Sequence, residues 1–263
     1  MSIIYSKNHE QPSKDDWSAH WSIYAQTASN NPAQKMRHDI ILKEMMSITE
    51  KPELVMDFGS GQGDFLLKAT SRHCAEKYVG LEMSHKGVSI SSLKVPEAEF
   101  IQVNLFFPPA EVSRFFGKAD VAVCSEVIEH VDEPEKFCFL LKTYLKPGGY
   151  LFLTLPGGPM SKFDRHIGHR RHYDKASISE LLIKAGLNVE KVSLLGFPFF
   201  NLYRLMVIVR GMRLISDIES TGQRLAPGLA ANLGMKIFNL LFKFNVGHSR
   251  FGWQIFAVAR SPF

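Results

Sequence analysis

Cysteine is scarce: only Cys74, Cys124 and Cys138 occur in 263 residues, with no C-x-x-C pair and no even count. That excludes a disulfide-stapled scaffold and a thiolate zinc site, and it points to a reducing compartment. No apolar run approaches the ~18 residues that span a bilayer. The opening MSIIYSKNHEQPSKDDW is polar and carries acids, unlike a secretory leader. A cytoplasmic protein is the expectation. Internal repeats and low-complexity tracts are missing, and so is the dinucleotide fingerprint G-x-G-x-x-G. Counted from Gly59 its third glycine falls on Asp64, and counted from Gly61 it falls on Leu66. What remains is an ordinary globular composition, 45% hydrophobic and 22% charged, long enough to bury a substantial core.

The most informative stretch is Leu54–Phe65, LVMDFGSGQGDF. Leu54-Val55-Met56 suits a strand buried on both faces, Asp57 closes it, and Gly59, Gly61 and Gly63 make a sharp turn into the helical pattern Phe65-Leu66-Leu67. Such a turn lets backbone N–H groups approach a ligand with a helix N-terminus behind them. Downstream, Tyr78–Leu81 forms a second strand ending in Glu82, Glu99–Val103 a third ending at Asn104, and Asp120–Cys124 a fourth that opens onto Ser125-Glu126-Val127-Ile128-Glu129-His130. Lys146-Pro147-Gly148-Gly149 turns into a fifth strand, Tyr150–Leu155. Leu187–Leu195 is the sixth strand and Trp253–Arg260 the last. Alternating strands and helices imply a mainly parallel sheet whose ligands sit beyond the strand carboxyl ends, where these polar segments all fall.

The pattern D-x-G-x-G-x-G resembles motif I of the class I S-adenosylmethionine-dependent methyltransferases, and LKPGGYLFLTLP is typical of the same superfamily. The resemblance implies an α/β, Rossmann-like, seven-stranded, mostly parallel sheet with the last strand antiparallel beside the fifth. It implies S-adenosylmethionine as cofactor. Asp57, Gly59, Ser60, Gly61 and Gly63 would hold it at the loop, Glu82 and Met83 at the ribose, Asn104 and Leu105 at the adenine, and Ser125 after the fourth strand. Asn104 departs from the family's usual aspartate yet keeps a carbonyl acceptor. Residues 1–35, with Trp17, Trp21 and Tyr24 at near-helical spacing, resemble an arm covering the cofactor, although aromatics packing a short helix on the core would look the same.

Pro32 is expected to start a helix with Met36, Ile40, Ile41, Met45 and Ile48 on one face. The core then occupies 36–195 and the final strand 253–263. Between them, 196–252 is far longer than a hairpin needs, and it reads as a cap of amphipathic helices rich in Phe, Leu and Met with interspersed arginine and lysine. Charge is uneven: residues 1–160 carry 16 Lys+Arg against 20 Asp+Glu, and 161–263 carry 15 against 6. The basic half suits an anionic partner or surface, or solvates helix faces.

Methyl transfer asks mainly for positioning and, at a hydroxyl, for a base. His130, following the fourth strand, is the leading base, with His169 beside it as a further catalytic candidate. Glu126, Glu129 and His130 at i, i+3, i+4 share one side of a helical turn. EVIEH resembles the metal segment of small-RNA 2′-O-methylases and of ubiquinone-pathway O-methyltransferases. The resemblance implies Mg²⁺ or Mn²⁺ on those three residues, with a histidine among His166, His169 and His172 as a further ligand, or else a metal-free brace. Arg165, His166, His169, Arg170, Arg171 and His172 form either a grip for an anionic acceptor or a solvated loop on an inward Tyr173. The expected activity is methylation, at oxygen, of a small-molecule or lipid-linked acceptor, with peripheral membrane contact through the cap. A metal-assisted RNA 2′-O-methyltransferase and a non-catalytic cofactor-binding regulator are the alternatives. RNA is disfavoured because the cap reads as mainly aliphatic, without the stacking platform expected for single-stranded RNA, and no DNA partner is expected.

Overall fold

In the strand Leu54–Phe58 (β1), Leu54, Met56 and Phe58 join one buried cluster and Val55 another. Side chains that alternate and find apolar partners on both sides require a sheet covered twice. A computed structural model of the chain, describing residues 16–18, 21, 29–221, 229–247 and 249–263, shows how it is covered. Lys77–Glu82 (β2) and Ala119–Ser125 (β4) flank β1, both parallel to it. Glu99–Gln102 (β3) lies outside β2, and Leu145–Pro156 (β5) lies beyond β4. Gln254–Arg260 (β7) runs antiparallel between β5 and Asn188–Leu195 (β6). The order β3-β2-β1-β4-β5-β7-β6 reverses direction between β1 and β4, the place where such sheets open a crevice.

One face is covered by Pro32–Ile48 (α1), Asp64–Thr70 (α2) and His85–Lys94 (α3), which bring Ile41, Leu42, Phe65, Leu66 and Val88 onto Val55, Val121 and Phe152. The other carries Pro134–Tyr144 (α4) and, after the short helix Lys162–His166 (α5), Lys175–Lys184 (α6). Phe137, Leu141, Ile178 and Leu182 pack there on Met56, Phe58 and Leu153. Each fully buried Leu, Ile or Phe contributes about 2 kcal/mol. All three cysteines are buried in this core as free thiols.

Between β6 and β7 run Phe199–Thr221 (α7) and Leu229–Leu241 (α8), the latter continued by a 3₁₀ turn, Phe242–Phe244. Phe200, Tyr203, Phe238 and Phe242 anchor them on Ala33 and Met36 of α1. Among the described residues no helix is long and apolar enough to cross a membrane. Tyr24 of the expected arm and Arg224 of the cap lie outside the described residues.

Several boundaries differ from the sequence expectation. β5 starts at Leu145 rather than Tyr150, because Leu145 pairs with Ala119 and the Pro-Gly-Gly segment is carried as an irregularity inside the ladder, with Gly148 at φ +74°. α6 starts at Lys175, where Asp174 caps it by accepting from Ser177 N. Ile48, expected inward on α1, is 40% exposed, and Leu42 is buried in that helix instead.

Candidate active site

Gly59, Gly61 and Gly63 all adopt positive φ, at +73°, +55° and +77°, and this lets the chain leave β1 and enter α2 within a few residues. Gly59 N and Ser60 N both donate to Leu81 O, at 2.8 and 3.2 Å. Glu82 completes the junction by accepting from Gly61 N through one oxygen and from Ser84 N through the other, each at 2.8 Å. Burial pushes the Glu82 carboxyl up while these N–H groups pull it down, and the net shift is upward. Asp57 is pushed up to about 8, first by burial and then by Glu82. Met83 O accepts from Gln102 Nε2 at 3.3 Å.

Asn104 Oδ1 accepts from Phe106 N at 3.0 Å, so the oxygen expected to meet an adenine amino group is engaged within its own loop. Leu105 packs against the core beside it. Ser125 Oγ shares a 2.7 Å hydrogen bond with Thr154 Oγ1.

The described residues of the N-terminal arm lie over these loops. Trp21 sits on Gly61, where any Cβ would strike its ring. Ser18 Oγ is 3.2 Å from Ser84 Oγ, and the Trp17 ring meets His130 edge-on at 4.8 Å. Ser60 Oγ is buried beneath the turn, against Gly80, with no hydrogen-bond partner. Loop, Ser60 and the Glu82 carboxylate together fit an adenosyl cofactor.

Beyond β4 the three residues of EVIEH do not converge as their spacing predicts. Glu126 has φ +57° and its N–H bonds Thr154 O at 2.8 Å, so the chain turns before a helix can form and only Ile128–His130 coils, as a 3₁₀ turn. Glu126 points instead to Gln254 Nε2 at 2.9 Å and Arg37 at 3.5 Å. Glu129 and His130 are joined by His169, which arrives from the loop after α5, and the ligand atoms of the three lie within 4.8 Å of one another. Glu129 Oε1 is 4.0 Å from both His130 Nε2 and His169 Nε2, and neither of its buried oxygens makes a hydrogen bond. Burial first, and then Glu126, raises this carboxyl well above the usual range. Burial and the neighbouring His130 draw His169 down to about 2, so its imidazole is neutral.

Sequence reasoning missed what holds His169 in place. Ser161 and Asp164 form a capping box that starts α5 inside the expected loop. Asp164 is fully buried and pairs with Arg204 of α7 at 2.8 Å. Burial alone would raise it, but Arg204 and Ser161 outweigh that and hold it low. His172 bridges Gly158 O at 3.1 Å and His169 Nδ1 at 3.2 Å. The sequence signal was present as Ser161-Lys162-Phe163-Asp164, an S-x-x-D cap.

The basic loop does not gather into one patch. Arg170 and Arg171 reach Asp132, His169 and His172 turn inward, Tyr173 is buried, and Arg165 and His166 are exposed. Replacing Arg204 with methionine leaves a buried carboxylate uncompensated, and it should cost about 3–5 kcal/mol in denaturant unfolding.

A methyltransferase domain family model matches residues 33–192, more than half of the chain. The chain belongs to the methyltransferase domain family. Relatives include ubiquinone biosynthesis O-methyltransferases of Coxiella burnetii (strain RSA 493 / Nine Mile phase I), 30% identical over 47% of this chain and 55% of theirs. The one from Paraburkholderia phymatum is 31% identical over 38% of this chain and 43% of its own. The chain spans about half the length of these curated relatives. Solved structures share the fold. The 4+2 cyclase SpnF superimposes with a TM-score of 0.59 at 17% identity, covering 86% of this chain and 79% of that one. A phosphoethanolamine N-methyltransferase of Haemonchus contortus, bound to S-adenosylhomocysteine, gives 0.57 at 18% identity, covering 86% and 52%.

Proposed function

We propose that this methyltransferase transfers its methyl group to an oxygen of a small-molecule or lipid-linked acceptor. One observation carries the reading: His130 and His169 flank the buried Glu129 at the carboxyl end of β4, beside the glycine turn. S-adenosylmethionine supplies a methyl group already activated on sulfur. The chain's own residues then have two tasks, to orient the acceptor hydroxyl and to take its proton. The acceptor's hydroxyl proton would pass to the His130 imidazole as its oxygen takes the methyl group and the S–C bond breaks to leave the thioether, and Glu129 lies 4.0 Å from His130 Nε2. The name of the relatives, ubiquinone biosynthesis O-methyltransferase, supports oxygen as the atom methylated.

A second reading is favoured by the two bare oxygens of Glu129. A carboxylate and two imidazoles suit Mg²⁺ or Mn²⁺, which would polarise the acceptor oxygen when bound. Glu129, His130 and His169 would hold it, and Glu126, turned to Gln254, would not.

Incubating the protein with methyl-labelled cofactor and a cell extract tests the class of acceptor. Label should enter an organic-extractable, ribonuclease-resistant product. A ribonuclease-sensitive product would move the assignment to RNA, and no transfer at all would make the chain a cofactor-binding regulator. On the second reading, the same assay after EDTA should lose transfer and regain it with Mg²⁺ or Mn²⁺. Full activity after EDTA would leave the glutamate and histidines as a metal-free set.

A further inference from the structure

The cap helices press their aromatic residues on α1 and turn a second apolar face outward. On α7, Leu202, Leu205, Met206 and Val209 are between 43% and 74% exposed and fall at i, i+3, i+4 and i+7, a single side of the helix. On α8 and its 3₁₀ turn, Leu233, Ile237, Leu240 and Phe244 fall at i, i+4, i+7 and i+11, again on one side, at 48% to 66% exposure. The inward partners, Phe200, Tyr203, Phe238 and Phe242, lie on the opposite sides. Val246 N donates to Phe197 O at 2.8 Å, and Asn201 Nδ2 donates to Phe251 O at 2.6 Å. These bonds set the half-exposed Val246 and the exposed Phe251 beside the first turn of α7, so the apolar surface runs from one helix to the other. Apolar patches of this extent mark interaction surfaces.

Charge decides the occupant. Residues 191–216 and 220–263 contain no aspartate or glutamate. Arg210, Lys236, Lys243 and Arg250 are exposed among the apolar positions. A second copy would set these cations against their own kind, whereas lipid phosphates complement them. Long basic side chains next to an apolar stripe also match the boundary between headgroups and acyl chains. We propose that the outward surface of α7 and α8 docks on an anionic lipid bilayer, with its apolar stripes in the headgroup boundary and its four cations against lipid phosphates. This holds whichever acceptor the site methylates.

Flotation of the full chain with vesicles tests it. Phosphatidylcholine vesicles containing about a quarter phosphatidylglycerol should carry the protein to the top of the gradient, and pure phosphatidylcholine vesicles should not. The double variant I237D/L240D should stay at the bottom. K236Q/K243Q should bind about tenfold or more weakly, since each basic residue near an anionic surface is worth roughly a factor of five. Both variants change exposed residues, so unchanged circular dichroism and methyl transfer confirm that the fold is kept. Equal binding to neutral vesicles, no binding to anionic ones, or full binding by I237D/L240D would overturn the proposal. So would a dimer in sedimentation equilibrium that I237D/L240D dissociates, which would assign the face to a second copy.

Discussion

Replacing His130 with alanine should leave S-adenosylmethionine affinity within about twofold of wild type and lower turnover by about two orders of magnitude or more. Only 11% of the side chain is exposed, and two rings wall it edge-on: Trp17 at 4.8 Å and His169 at 4.6 Å between centroids. No described neighbour is placed to substitute for it, since His169 is held neutral and turned to His172. Calorimetry with the cofactor and single-turnover rates across pH separate the two effects. If His130 is the base, the variant loses the acidic limb of the rate profile and Mn²⁺ affinity is unmoved. If it is a ligand, Mn²⁺ affinity falls together with the rate. Normal turnover by the variant would remove it from the chemistry altogether.

The second large effect is expected at Gly61. Valine there must adopt φ +55°, which costs a β-branched residue about 1–2 kcal/mol or more, and its Cβ would occupy the space between the turn and the Trp21 ring. The same residue donates its N–H to Glu82 at 2.8 Å, so moving the turn also moves the carboxylate assigned to the ribose. G61V should lose cofactor affinity by about a hundredfold or more in calorimetry while keeping its far-ultraviolet circular dichroism. Affinity retained at the wild-type level would dissociate the turn from cofactor binding. Alanine at the same position should fall between, because it meets the ring with one carbon rather than three.

The strand segments, the glycine turn and the position of Glu82 were legible because each depends on local pattern: apolar runs, turn residues and spacing. The antiparallel last strand came from the resemblance and not from any local signal, and the structure places β7 as that resemblance implies. Where reasoning from spacing failed, a single backbone angle was responsible. Helical spacing groups Glu126 with Glu129 and His130 only along a continuous helix. The positive φ at Glu126 and its hydrogen bond to Thr154 O break that continuity. His169 was named as a catalytic candidate, but as a ligand it was offered only as one of three histidines. Choosing among them required knowing that Asp164 is tied to Arg204, a contact spanning 40 positions that no window on the sequence contains.

The central placement of β7 has a consequence for how the molecule forms. Among the described residues β6 is an edge strand that pairs with β7 alone, while β5 waits for the same strand on its other side. A ribosome therefore releases β6 and the whole cap before the element that pairs with either neighbour exists. Two open backbone edges persist in the nascent chain meanwhile, and they close together when one late segment slots between them.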